Sequence, residues 1–180
     1  GRFLHSQVET PYGARRCNDG GAWRFDPKSY RLERMQVDVS NPWGFSFDRW
    51  EQPFLSDASP GENWWALPFA AKMPYGIEQP KVEQFVPKRS RPSSGGEFVS
   101  SRHFPDANQG DFMTCNTIGF LGISFGTKRD DGAGFVGQAN GDLLSSTDGN
   151  FRPVDLEFAP DGSLYFLDWH NPLIGHMQHN

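Results

Sequence analysis

A short β-hairpin pattern near the end of the chain restricts its fold more than any other feature. From Val154 to Phe158, apolar residues alternate with acidic ones, which is the period of a strand with one buried face. An Ala-Pro-Asp-Gly-Ser turn follows, and residues 164–167 form an apolar run typical of a strand packed on both faces. Residues 152–169 therefore predict a β-hairpin closed by an Asp-Gly turn.

The hairpin pattern occurs twice more, earlier in the chain. Residues 41–58 (NPWGFSFDRWEQPFLSDA) keep the order of aromatic residue, turn and aromatic residue, and a shift of 111 positions places Phe47 on Phe158. A looser copy between them has a longer turn and places Phe104 at the end of its first strand. The three strand-ending phenylalanines are then separated by 57 and 54 positions.

A repeat of this length, built from short strands, is the sequence signature of propeller blades. We therefore predict an all-β fold, a fragment of about three blades of a β-propeller, with residues 1–180 forming part of one propeller domain. A β-sandwich with coincidental hairpins is the alternative. Closed propellers have roughly 4–8 blades, so the three copies predict a fragment of a larger protein that supplies the other blades. A dimer of two half-rings is the less favoured solution.

The composition supports a fold with many turns and excludes some classes of function. The chain contains 20 glycines and 14 prolines, and 14% of its residues are aromatic. Its net charge of −5 argues against a general nucleic-acid binder. No apolar run approaches the roughly 20 residues of a membrane-spanning helix. A segment rich in proline and basic residues, 73–96, predicts a long loop between blades.

The two cysteines, Cys17 and Cys115, offer little chemistry. Neither belongs to a Cys-x-x-Cys-His motif, so this stretch has no haem attachment site. Cys115 lies in an apolar strand and predicts a buried, inert thiol, with a disulfide to Cys17 as the minor alternative.

Polar residues at the ends of the repeated strands are the candidate site, because propeller ligands bind where such ends converge. The predicted catalytic residues are His103, His170 and Asp168, and the predicted substrate- or cofactor-binding residues are Asn41, Arg102, Arg152, Asp155 and Asn171. The alternative is that each side chain bonds only to groups near it. His103 would then bond within its own loop, Arg152 to Asp155, and Asp168 to the backbone of the following turn.

The residue types suit proton abstraction from an alcohol. An imidazole titrates near neutral pH and can act as a general base, while an arginine can stabilise developing negative charge. Asp168 and His170 share a strand face and can pair. No metal site is predicted: His176 and His179 lack a nameable third ligand, and two Asp-Gly segments (130–132 and 148–150) resemble calcium loops without the distal Glu.

Four segments together resemble one protein family. They are NPWGFSFDRW (41–50), SSRHFPDANQGD (100–111), CNTIGFLGI (115–123) and the long block NFRPVDLEFAPDGSLYFLDWHNPLIGHMQHN (150–180). They are similar to the PVC-type haem-binding family, the membrane-bound dehydrogenase-like proteins, over nearly the whole chain from about Val8 onwards. The resemblance implies a propeller related to glucose/sorbosone dehydrogenases, which use pyrroloquinoline quinone. It also implies an exported, periplasmic or envelope-associated protein with a separate cytochrome-type haem domain.

Two functions follow from these observations. The first is an exported oxidoreductase propeller that oxidises a sugar or polyol and passes electrons to the haem domain. The second is a non-catalytic propeller that binds glycans or a protein partner through exposed tryptophans. Its predicted stacking residues are Trp43, Trp64, Trp65 and Trp169. A structural subunit of a larger assembly is a third, weaker interpretation.

Overall fold

The computed structural model describes residues 5–67, 77 and 84–174, and these residues form an all-β structure. Among these described residues, one turn of 3-10 helix, Asp106–Asn108, interrupts the strands. The strands are β1 (His5–Val8), β2 (Arg15–Asn18), β3 (Gly20–Asp26), β4 (Arg31–Val39), β5 (Pro42–Phe47), β6 (Pro53–Asp57), β7 (Glu62–Trp65), β8 (Ser93–Phe98), β9 (Phe112–Asn116), β10 (Gly122–Gly126), β11 (Arg129–Asp131), β12 (Gly134–Val136), β13 (Ala139–Ser145), β14 (Pro153–Phe158) and β15 (Leu164–Asp168). Within the described residues, no helix is long and apolar enough to cross a membrane.

The three predicted hairpins fall into three separate antiparallel sheets, which we call blades. The first blade is β5-β6-β7, the second is β8-β9-β10-β13, and the third is β14-β15. The first strand of each blade lies innermost, and β8 packs against β5 on one side and β14 on the other. The hairpins β1-β2, β3-β4 and β11-β12 lie outside these blades.

The strand pairing shows which phenylalanines are equivalent. Phe47 pairs with Pro53 and Phe158 with Leu164, in each case at the last position before the turn. In the second blade Phe98 holds this position, opposite Phe112. The prediction was therefore right for the first and third copies along the chain and wrong for Phe104, which lies in the connection between β8 and β9.

The second strand of the third blade is less buried than its apolar sequence predicts. Tyr165 and Leu167 are each 64% exposed, and Phe166 is also exposed. The prediction of packing on both faces was wrong because, among the described residues, β15 has extensive contact only with its hairpin partner β14. In the second blade, by contrast, the corresponding strand β9 is buried along its whole length.

Two clusters of buried residues hold the three blades together. Phe54 of the first blade packs against Phe98 and Phe112 of the second, with ring centroids 4.8 Å apart for the pair Phe54–Phe98. Leu156 of the third blade packs against Met113 and neighbouring residues of the second. Burial of these apolar side chains is the main source of stability between the blades.

Glycines let the innermost strands approach closely. A Cβ atom added at Gly44 would lie 3.2 Å from the backbone nitrogen of Gly96, and one added at Gly95 would lie 2.8 Å from the Cα of Asp155. These distances leave no room for a side chain at Gly95. The Ser-Ser-Gly-Gly sequence forms the start of β8, where the absence of side chains at the glycines allows this close packing. It falls inside the segment 73–96 that was predicted as a loop.

Candidate functional site

Arg152 joins the second and third blades. Its side chain is buried, and its guanidinium donates hydrogen bonds to the backbone carbonyls of Thr117, Asn171 and Pro172. Thr117 follows β9, whereas the other two carbonyls follow β15, so the guanidinium links the two blades. Its partners are thus main-chain carbonyls rather than Asp155, the partner considered in the sequence analysis.

Asp168 closes the open end of the third hairpin. Its carboxylate accepts hydrogen bonds from the backbone N–H groups of Arg152 at 2.7 Å and His170 at 2.8 Å. Burial opposes ionisation of this carboxyl, but the two backbone hydrogen bonds outweigh it and hold the pKa of Asp168 below its ordinary value. Asp57 has the same role in the first blade, where it accepts a hydrogen bond from the N–H of Asn41 at 3.0 Å.

His170 lies beside Asp168 at the surface. Its Nδ1 atom is 3.6 Å from a carboxylate oxygen of Asp168, and 65% of its side chain is exposed. The backbone of His170 has a φ of 45°, so it turns sharply after β15. The predicted pairing of this carboxylate and imidazole is present, at ion-pair range and in contact with solvent.

The two asparagines of the prediction act within turns. The Asn41 side-chain oxygen accepts a hydrogen bond from Trp43 Nε1 at 3.1 Å. The Asn171 side-chain oxygen accepts one from the N–H of Leu173 at 3.0 Å. Both residues lie at the open ends of their hairpins, the first before β5 and the second after β15.

His103 and Arg102 lie at the opposite end of the third blade from Arg152. Both are exposed, in the connection between β8 and β9, and the N–H of His103 bonds to the Ser101 hydroxyl at 3.1 Å. Ser101 in turn donates to the carbonyl of Gly162, in the β14-β15 turn. That turn is about 17 Å from Arg152, one strand length away. The structure therefore brings together Arg152, Asp168, His170 and Asn171, but not His103 or Arg102.

Asp155 belongs to a group of three carboxylates between the second and third blades. Glu97 lies opposite Met113 in the pairing of β8 with β9, and Met113 is in the cluster that packs on the third blade. Asp155 and Glu157 of β14 both act on Glu97 through their negative charge. We call these three residues, Glu97, Asp155 and Glu157, the acidic seam.

Glu97 is the most strongly perturbed carboxyl of the acidic seam. Burial disfavours its charged form, and the negative charges of Glu157 and Asp155 add to the effect, although a hydrogen bond from the N–H of Phe98 opposes it. Together they raise the pKa of Glu97 to about 7. A carboxyl with this pKa both accepts and donates a proton at neutral pH, as a general acid or base requires.

Glu97 was missed in the sequence analysis. A signal for it exists: a single glutamate stands between Gly96 and Phe98 inside an innermost strand, where a propeller places the residues that line its axis.

A family comparison classifies the chain. The model of DUF7133, described as a domain of unknown function, matches residues 68–180. The chain belongs to the DUF7133 family. No curated protein matches it significantly in sequence.

Two solved structures show the fold of this DUF7133 chain. One is described as a "putative gluconolactonase"; it has a TM-score of 0.52 and 14% identity, over 83% of this chain and 43% of that one. The other, from Thermus thermophilus, is described as a "putative oxidoreductase (glucose dehydrogenase)"; it has a TM-score of 0.54 and 16% identity, over 78% of this chain and 42% of that one. The predicted all-β propeller fold is confirmed, and the chain spans less than half the length of each structure.

The acidic seam does not fit the quinone that the family resemblance implies. Pyrroloquinoline quinone carries three carboxyl groups, so the negative charges of Asp155 and Glu157, with that of the partly ionised Glu97, would repel it. Arg152 donates hydrogen bonds to three backbone carbonyls of the DUF7133 chain, so few of its N–H groups remain to bind an anion.

Within the described ranges, no three His, Cys, Asp or Glu side chains are placed to hold a metal ion. His176 and His179 lie outside the described residues.

The predicted aromatic surface is partly present. Trp43 and Trp169 are exposed, whereas Trp64 is buried in the first blade and Trp65 packs edge-on against Phe135. The prediction of a stacking surface is therefore wrong for Trp64, which lies in the core.

Cys115 is a free, buried thiol, as predicted. Its burial, and to a smaller extent the negative charge of Asp155, raise its pKa well above the ordinary value.

Proposed function

We propose that this DUF7133 chain is the propeller portion of an exported, dehydrogenase-like protein that oxidises a sugar or a polyol and passes the electrons to a haem domain outside the chain. The export, the periplasmic or envelope location and the haem partner rest on the resemblance to the PVC-type haem-binding family. The sugar-type substrate rests on that resemblance and on the descriptions of the two similar structures. Pyrroloquinoline quinone stays a prediction for the whole protein, at a site other than the acidic seam.

The observation that carries the proposal is the position of Glu97, half-buried in the innermost strand β8 and close to two carboxylates of β14, where its pKa is raised to about 7. Oxidation of an alcohol removes one proton from the hydroxyl group and one hydride from the carbon. Glu97, half-buried and with a pKa of about 7, is suited to take the hydroxyl proton. The hydride passes to an acceptor outside the described residues. The acidic seam favours an uncharged polyol over an anionic sugar acid, because it repels negative charge.

The test is the steady-state oxidation of sugars and polyols by the full-length protein, with an artificial electron acceptor and with or without added quinone. Glu97→Gln should lower turnover by about 10²–10⁴ and remove the ionisation near pH 7 from the pH profile. Glu51→Gln, in the exposed turn between β5 and β6, is the matched control and should leave both unchanged. Turnover and a pH profile that survive Glu97→Gln would exclude Glu97 as the proton acceptor.

His103→Ala and His170→Ala test the roles predicted from sequence. The two imidazoles lie near opposite ends of the third blade, so they cannot serve one proton transfer together. A large loss of turnover in one variant, with folding intact, would move the site to that end of the blade. If Glu97→Gln and both histidine variants keep full turnover, the catalytic proposal fails.

A non-catalytic binding module is the second candidate, and the exposed third blade favours it. Tyr165 and Leu167 share one face of β15, and Trp169 follows directly after the strand. Aromatic rings of this kind stack on sugars and fill protein interfaces. Isothermal titration of the full-length protein with glycans, in the absence of turnover, would support this candidate. Loss of binding in Trp169→Ala would locate the surface.

A further inference from the structure

A small polar cavity lies between the first and second blades. Its wall includes Asn63 of β7, Ser93 of β8, Thr114 and Asn116 of β9, and Ser124 of β10. The cavity gives the centre of a water molecule a volume of about 10 Å³. A buried site needs roughly 10–15 Å³ measured in this way to hold one water molecule. The cavity therefore has room for a single small ligand.

Two hydroxyl groups in the cavity wall have no hydrogen-bond partner among the described protein atoms. They are Ser93 Oγ and Thr114 Oγ1, on residues that are 2% and 4% exposed. Leaving a buried hydroxyl without a hydrogen-bond partner destabilises the folded state. Two such groups in one cavity indicate a ligand that bonds to both.

The neighbouring polar groups are already committed to one another. Asn116 accepts a hydrogen bond from the Ser90 hydroxyl at 3.0 Å and donates to Ser124 at 3.2 Å and to the carbonyl of Thr114 at 2.9 Å. Asn63 accepts one from Ser56 at 2.7 Å. These hydrogen bonds hold the two side-chain amides in place. If an amide turned to bond to Ser93 or Thr114, it would lose a hydrogen bond that it already makes.

The chemistry of the wall selects a neutral ligand. None of the residues lining the cavity is acidic, and the guanidinium of Arg89 stands at its edge, so a cation would be buried without a counter-charge. An anion would find the Asn116 amide donors already bonded to Ser124 and to the carbonyl of Thr114. A hydroxyl can both donate and accept, and so can water.

We propose that the cavity binds one ordered water molecule, which bridges Ser93 of β8 and Thr114 of β9 and belongs to the contact between the first and second blades. The water satisfies both hydroxyls and acts as a fixed part of the structure. This proposal is independent of the proposed function, because neither hydroxyl belongs to the acidic seam.

A crystal structure of the full-length protein at high resolution is the direct test. A spherical density within hydrogen-bonding distance of both hydroxyls, without anomalous scattering, is expected. An empty cavity, or a density identified as a chloride or metal ion, overturns the proposal.

Equilibrium unfolding supplies a second test. Thr114→Val keeps the shape of the side chain, and Ser93→Ala removes one atom; each should raise the unfolding equilibrium constant by roughly 3- to 10-fold through loss of a hydrogen bond to the water. The double variant should cost less than the sum of the two, because they share one ligand. Ser59→Ala is the matched control: its hydroxyl is also buried without a protein partner, but it lies outside the cavity and should be neutral or stabilising. If Thr114→Val and Ser93→Ala behave like Ser59→Ala, no water is bound.

Discussion

The ammonium group of Lys128 lies 2.8 Å from the carboxylate of Asp48, across the contact between the first and second blades. Lys128 is 13% exposed and Asp48 is 4% exposed at the side chain. The rings of Phe54, Phe98 and Phe135 surround the ammonium, with centroids between 4.4 and 5.8 Å away. The backbone N–H groups of Trp50 and Gln52 complete the hydrogen bonds of Asp48. The pair is therefore buried, and the Asp48 carboxylate accepts three hydrogen bonds.

Lys128→Met should destabilise the protein by about 3–5 kcal/mol, because it leaves the Asp48 carboxylate buried without its partner. Urea unfolding followed by tryptophan fluorescence measures the change. The control is Arg24→Met, which breaks the exposed ion pair of Arg24 with Glu33 and should cost no more than about 1 kcal/mol. If the two substitutions lower the free energy of unfolding equally, burial of the Lys128–Asp48 pair does not affect stability.

Glu97 should make the folded state less stable as the pH rises. Its pKa is about 7 in the folded protein against an ordinary value of 4.5, so between these values the folded state keeps a proton that the unfolded state has lost. Stability contributed by the neutral form is complete below pH 4.5 and is lost as the pH rises through about 7. Glu97→Gln should abolish this slope and be more stable than the natural protein above pH 7. Unfolding midpoints across the pH range measure it, and Glu51→Gln should retain the slope.

Arg152→Lys should destabilise the protein by at least about 2 kcal/mol, because a lysine cannot donate in the forked geometry that bonds three carbonyls. Arg102→Lys, at an exposed position, should change stability by no more than about 0.5 kcal/mol. The comparison separates the two roles of Arg152: a variant that loses turnover at full stability would point to chemistry rather than to the link between blades.

Gly95→Ala should destabilise the protein by about 1–3 kcal/mol, because its new Cβ atom would force β8 away from Asp155. Gly149→Ala is the control, since a Cβ atom there has no neighbour within 4 Å. Thermal unfolding of the two variants measures the difference. Similar melting temperatures would mean that β8 and β14 separate without cost.

The chain expressed alone should self-associate through the exposed face of β15. Tyr165 and Leu167 lie on one face, and the hydrophobic effect favours covering them. Analytical ultracentrifugation should show a concentration-dependent increase in mass that Tyr165→Ser/Leu167→Ser reduces. Tyr30→Ser, at an exposed ring that contacts only its neighbour Phe25 within the β3-β4 hairpin among the ring pairs of the described residues, should have no effect. A monomer at all concentrations would contradict the expectation.

The sequence predicts the first and third blades well because their turns are short. Phe47 and Phe158 end strands as expected, and residues 48–52 and 159–163 close the hairpins. The second blade is different: residues 99–111 separate its strands, and the Phe-Pro-Asp sequence at 104–106 imitates the end of a strand. A local pattern cannot distinguish a strand end from a turn that uses the same residues.

The candidate site was harder to predict than the fold. Arg152 and Asp168 were selected for their position at strand ends, yet the same position also calls for groups that cap the backbone, which is what they do. Glu97 was missed because its altered pKa depends on its burial in the folded chain and on two carboxylates some 60 residues further along, Glu157 and Asp155. Such long-range electrostatic effects leave no trace in local sequence patterns.

The close approach of the innermost strands also decides how a small molecule can travel. Where Gly95 meets Asp155, the gap between the second and third blades is too narrow for a single methyl group. A sugar therefore has no sideways route between these blades at that level. Any molecule that reaches the acidic seam must therefore approach from the side on which Asp155 and Glu157 are exposed to solvent.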